Sequence, residues 1–166
     1  MNPLTREWID KAEGDYHAAG LLLRARKHPN YDASCFHAQQ CAEKYMKAVL
    51  CEAGKRVDRT HKLDELLDQL ILVHPIWDAL RESATRLTVY AVHFRYPHSS
   101  ADKVMAKEAL RACEFIRLPL REHLGLTSQP RTERKKAASK TKRKCKKPTQ
   151  RRAAKVRKRR RTGENK

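Results

Sequence analysis

Between Asp32 and Leu50 the apolar residues Cys35, Ala38, Cys41, Ala42, Tyr45, Met46, Val49 and Leu50 recur every three or four positions. At about 100° per residue they share one broad arc of a helix, while His37, Gln40, Lys44 and Lys47 occupy the other. Asp32 can cap the start by accepting from free backbone N–H groups, and Gly54 supplies the left-handed residue that stops a helix. This is the clearest buried helix in the chain, and the remaining elements are expected to pack against it. Gln39 breaks the pattern, because it lies within the apolar arc, where an unpartnered amide costs about 1–3 kcal/mol. It either pairs with Glu43 one turn on or marks a site.

Four further segments carry the same period. A first helix can start at Asn2 with Pro3 at its first position and carry Trp8, Ala12, Ala19, Leu22 and Leu23 until His28-Pro29-Asn30 ends it. A short third helix, capped by Thr60, repeats Leu63, Leu66, Leu67, Leu70 and Ile71. Pro75 opens a fourth, with Trp77, Leu80, Ala84, Leu87 and Ala91 inward and Pro97 as its stop. The fifth restarts at Ser100, turns Val104, Leu110, Cys113 and Ile116 inward, and meets Pro119, predicted to kink its last turn before Gly125. The expected fold is therefore all-α, an antiparallel bundle of about five helices over residues 1–126.

Charge changes this picture at Thr127. The chain has 166 residues with 38 Lys+Arg against 19 Asp+Glu, a net charge of +19. Residues 127–166 contain 19 basic and 2 acidic residues, a net of +17, which leaves +2 for residues 1–126. The second segment has no stripe that could face a core and reads as a disordered tail in isolation. Its cations, among them Arg134, Lys135, Lys136, Lys142, Arg143, Lys144, Arg151, Arg152, Arg157, Lys158, Arg159, Arg160 and Arg161, have no aromatic between them. Such a run binds the phosphate backbone of RNA or DNA by releasing counterions and reads no sequence.

Cysteine usage and hydropathy bound the compartment. The 5 cysteines show no Cys-x-x-Cys pair and no companion histidine at metal spacing, so they read as buried thiols suited to a reducing cytoplasm. No apolar run approaches the ~20 residues of a membrane span, and no signal-peptide core follows Met1. The sequence shows no Walker loop, no Ser/His/Asp arrangement and no paired carboxylates with a reason to sit in a cleft, and neither a metal nor a cofactor is called for. Glu43 and Lys47 stand in the order that favours an ion pair. His61 suits local packing or capping, and His37 can face a neighbouring helix.

Phe36-His-Ala-Gln-Gln-Cys-Ala-Glu-Lys-Tyr-Met-Lys-Ala48, the helix start His61-Lys62-Leu63 and Arg95-Tyr96-Pro97 together resemble the HEPN superfamily, small helical domains often encoded beside minimal nucleotidyltransferases. The resemblance spans about Leu4 to Leu126. It implies a dimer that binds a nucleotide or RNA, with a minimal nucleotidyltransferase as partner in a toxin–antitoxin-like pair. Two further readings are a metal-independent endoribonuclease and a non-enzymatic dimer anchored on nucleic acid. Nuclease members of the superfamily use an Arg and a His separated by four to six residues, and Arg86-Leu-Thr-Val-Tyr-Ala-Val-His93 has six between. Seven helical steps put Arg86 and His93 on one face with Tyr90 but ~10 Å apart along the axis. A two-fold dimer setting the Arg of one subunit near the His of the other would close that gap. Arg86 and His93 are thus the candidate catalytic pair, with a solvated helix face as the alternative. Arg95 and Tyr90 are the candidate nucleotide contacts; Arg95 can equally fix the helix break by bonding free carbonyls. His98 stands where an acidic residue usually follows the Arg-Tyr-Pro motif.

Overall fold

The computed structural model describes residues 1–57, 59–94 and 98–126. Among them the chain forms five α-helices, α1 (Pro3–Arg24), α2 (Tyr31–Glu52), α3 (Leu63–Ile71), α4 (Arg81–His93) and α5 (Lys103–His123), with a 3-10 helix over Pro75–Leu80. The all-α reading holds. Arg95, Tyr96, Pro97 and the whole basic segment from Thr127 lie outside the described residues.

Helix α2 is the centre. Of its 22 residues 14 are buried, including all eight of the predicted apolar arc. Burial on that scale leaves little of the helix for solvent, and two of the extra buried residues, Glu43 and Lys47, are charged. Lys47 therefore does not sit on a polar arc as its helical phase suggests. Its burial is compensated by Glu43, whose Oε1 accepts from its Nζ at 2.8 Å, with the Trp8 ring of α1 at 5.7 Å.

Contacts along the helices fix their directions. Glu52 at the end of α2 accepts from the backbone N–H of Asn2, Asp15 bonds His37 and Lys44, and Ser34 donates to the Ala19 carbonyl, so α1 and α2 run antiparallel. On the other flank Asp32 accepts from the Ala101 N–H and Tyr45 meets Arg121, so α5 runs beside α2 in the same direction. Helices α3 and α4 cover the remaining side, with Thr85 donating to Asp64 at 2.8 Å.

The helix ends differ in detail from expectation. Asn30, not Asp32, caps α2, its Oδ1 accepting from Ala33 N–H at 2.9 Å. Asp32 instead ties the loop before α5, which is capped by Asp102 rather than Ser100. Thr60 accepts from Lys62 N–H just ahead of α3, whose cap position is Lys62. The segment after Pro75 is 3-10 up to Leu80 and only then α, with Trp77, Leu80, Ala84 and Leu87 buried as predicted. The Ala91 side chain lies outside the described set. In α5 the helix continues through Pro119, and the buried stripe is Ala106, Ala109, Cys113, Ile116 and Leu120. Val104 is 61% exposed, because nine helical steps turn it to the side opposite Cys113 and the buried stripe.

Cys35, Cys41, Cys51 and Cys113 are all buried free thiols. Burial, reinforced by the Asp32 and Asp102 carboxylates, pushes Cys35 up to about 12, so it stays an unreactive thiol. Among the described residues no helix is long and apolar enough to cross a membrane.

Candidate functional site

A groove of about 660 Å³ opens between the first half of α2 and the end of α4, lined by Asn30, Asp32, Ala33, Phe36, Gln40, His61, Tyr90 and Phe94. Ala33, Phe36 and Gln40 reach it because steps of three and four residues lie on one helix face. Tyr90 and Phe94 come from the last turn and end of α4 by the same spacing, their ring centroids 5.7 Å apart and tilted by 31°. Tyr90 donates to Glu108 of α5 at 3.1 Å. Burial and that carboxylate together raise its pKa, so it remains a phenol held in place by α5.

Beneath the groove lies a polar network centred on Glu43, which is only 3% exposed. Its carboxylate accepts from Lys47 Nζ at 2.8 Å, Gln39 Nε2 at 3.0 Å, Gln40 Nε2 at 3.2 Å and His61 Nδ1 at 3.1 Å. Burial alone would raise the Glu43 pKa; the bonds from Lys47, Gln39 and His61 outweigh it and hold the group below the usual carboxylate range. Gln39 thus pairs with Glu43, as its position one turn away implied, and also donates to the His61 carbonyl at 3.1 Å. The amide that looked misplaced ties α2 to the segment entering α3.

A second network joins α1, α2 and α5 elsewhere. Glu13 accepts from Arg117, Arg121 and Tyr45, with the Arg117 guanidinium 4.1 Å from the centroid of the Tyr16 ring. Burial pushes Glu13 up, but the two arginines and the phenol prevail and lower it. Both guanidinium groups already share this carboxylate, so the cluster is a clamp between helices.

Of the residues proposed from sequence, the structure places Tyr90 in the groove and neither Arg86 nor His93 in its lining. Arg86 is exposed and paired with Glu82 at 2.6 Å one turn back. His93 is exposed, its Nδ1 bonded to Ser99 Oγ at 2.6 Å, so the ring orientation is fixed by the chain beyond α4. Asn30, Asp32, Phe36, Gln40, His61 and Phe94 were not singled out for this site. The one signal available was Gln39, whose burial on the apolar arc pointed to the network under the groove.

Comparison with known proteins agrees with the fold. A model of the HEPN domain matches residues 5–123. The protein named Putative toxin MJ1304, from Methanocaldococcus jannaschii, is 34% identical over 80 residues, covering 48% of this chain and 50% of that one. The chain thus spans about half the length of the curated relative it matches. The crystal structure of TT1696 from Thermus thermophilus is similar with a TM-score of 0.62 at 28% identity, over 71% of this chain and 96% of the other.

Proposed function

This chain belongs to the HEPN domain family, and from that premise we propose that its helical domain binds a nucleotide or RNA in the groove between α2 and α4. The observation that carries this reading is the lining itself. The aromatic side chains Phe36, Tyr90 and Phe94 stand beside amide, carboxylate and imidazole groups in a space within the usual range for a small-molecule pocket. Unstacked bases are held in this way, by π faces and side-chain hydrogen bonds. Arg95, next to Phe94 in the sequence, is proposed as the phosphate contact, since a guanidinium pairs with phosphate by charge-assisted bonds, and the basic segment from Thr127 as a sequence-independent grip. A toxin–antitoxin-like setting, which the name of the Methanocaldococcus relative supports, belongs to this reading, and we further propose a minimal nucleotidyltransferase as partner and a cytoplasmic homodimer as the working form.

Binding of mononucleotides and short RNA by titration tests the reading. Base–aromatic stacking contributes about 1–3 kcal/mol per base, so Tyr90→Ala should weaken affinity roughly 5- to 150-fold, while Tyr90→Phe, which keeps the ring, should stay close to the parent. Arg95→Ala should weaken nucleotides and leave nucleosides unchanged. Equal affinities for all of these variants would refute the groove as the site.

One observation favours the ribonuclease reading as a second possibility, namely the Ser99 bond that fixes the His93 ring. In that scheme His93 moves the proton of a ribose 2′-OH while Arg86 of the partner subunit or Arg95 stabilises the phosphate charge. Cleavage of RNA in EDTA that falls ~10²–10⁴-fold in His93→Ala, with affinity nearly kept, would establish it.

A further inference from the structure

The network under the groove fixes which atoms the groove can offer. A carboxylate only accepts hydrogen bonds, so every polar atom facing Glu43 must donate. Gln40 therefore turns its Nε2 toward Glu43 and toward Gln39 Oε1 at 2.8 Å, and the atom it has left is the acceptor Oε1. His61 faces the Glu43 carboxylate with Nδ1, so Nδ1 donates, and in that singly protonated tautomer Nε2 is left as an acceptor. Asp32 uses one oxygen on the Ala101 N–H and keeps the other as an acceptor. Asn30 spends Oδ1 on the Ala33 N–H and keeps its amide Nδ2 as a donor. Among the described lining residues the side chains thus keep three unspent acceptor atoms besides the Tyr90 hydroxyl, and one amide donor.

A set of acceptors beside one amide donor suits a base edge that donates. Uracil and cytosine each present one ring or amino donor beside acceptors, and adenine presents its amino group beside N1. Guanine alone has two adjacent donors, N1–H and the 2-amino group, next to the acceptor O6. We propose that the groove is a base subsite selective for guanine, Gln40, His61 and Asp32 accepting from its donors and Asn30 donating to O6, with the base against the Tyr90 and Phe94 rings. This deepens the nucleotide-binding reading above and rests on it. Glu43 is a positioning residue here, since it acts by orienting Gln40 and His61.

Uncharged nucleosides test this on the full chain, because without phosphate they gain nothing from the basic segment. Guanosine should bind about 10- to 100-fold more tightly than adenosine or cytidine, and inosine, which lacks the 2-amino group, should fall between. Gln40→Met keeps the side-chain volume and removes the acceptor, so the guanosine preference should shrink to within about 3-fold while adenosine and cytidine affinities hold, and the lost donor to Glu43 should lower the melting temperature without unfolding the domain. Nucleosides that bind in a Tyr90-dependent way with no guanosine preference, or a Gln40→Met chain that keeps the full preference, would overturn the guanine assignment alone. Nucleosides, nucleotides and short RNA whose binding ignores Tyr90 altogether would overturn the groove as the binding site, and this inference with it.

Discussion

Glu43 and Lys47 show how a single pair governs both stability and the shape of the site. Two charges at 3% and 5% exposure are tolerated because they neutralise each other and because Gln39, Gln40 and His61 fill the remaining carboxylate positions. Lys47→Met strips the cation and leaves a buried carboxylate, which should cost about 3–5 kcal/mol at neutral pH by urea denaturation. The sign of the pH effect follows from the lowered Glu43 and Glu13 pKa values. Groups depressed in the folded state add stability above the unfolded carboxylate pKa of about 4.3, and that stability is lost as pH falls through the folded values. The parent should therefore weaken on acidification below about pH 5, whereas the deficit of Lys47→Met relative to the parent should shrink there, since protonated Glu43 needs no cation. A deficit that stays constant from about pH 7 to about pH 4 would show that Lys47 contributes by packing on Trp8 and not by charge. The Glu43–Lys47 pairing was legible as a spacing of four, but its burial was not. Helical phase assigns one face to solvent, and α2 is covered on several flanks by α1, α3, α4 and α5.

The elements owe their limits to backbone chemistry that the sequence states well at glycines and less well at polar caps. Gly54 has φ +68°, with its N–H bonded to the Cys51 carbonyl at 3.0 Å and the Lys55 N–H to the Leu50 carbonyl at 2.9 Å, the two closing bonds of a Schellman motif. A Cβ there would meet nothing within 4 Å, so a substitution is penalised by backbone conformation alone. Gly54→Ala should destabilise by about 1–2 kcal/mol and Gly54→Asn by less, which thermal denaturation of the two variants would resolve. Val49, 2% exposed in α2, should tolerate no charge, and Val49→Asp should lower stability by several kcal/mol. An unchanged melting temperature in that variant would mean α2 is rotated from the orientation described. Asn30 and Asp32 are both good caps two residues apart, and the choice between them was made by Ala101, a contact across 69 positions that no local pattern contains. The 3-10 start at Pro75 was hidden for a related reason. Proline suits the first turn of either helix type, and the inward stripe from Trp77 to Leu87 is compatible with both.

At the scale of the whole molecule the chain divides by charge, +2 over residues 1–126 and +17 over residues 127–166. The helical part was readable because periodicity, caps and stops agree over most of its length. The groove was not, since its lining joins residues near positions 30–40, 61 and 90–94 that only packing brings together. This division separates two kinds of binding by their salt dependence. An uncharged nucleoside held by stacking and hydrogen bonds in the groove neutralises no phosphate and should change little between about 50 and 200 mM salt. Contacts between the basic segment and ~6–10 phosphates should lose ~10³–10⁵-fold over the same range, because each released counterion adds to the slope. Deleting residues 127–166 should therefore abolish most binding to long RNA or duplex DNA and flatten its salt dependence, while guanosine affinity and the melting temperature of the helical domain stay as they are. Long nucleic acid bound by the truncated chain as tightly as by the full one, across a salt titration, would move the electrostatic grip onto the helical domain and refute the role given to the basic segment.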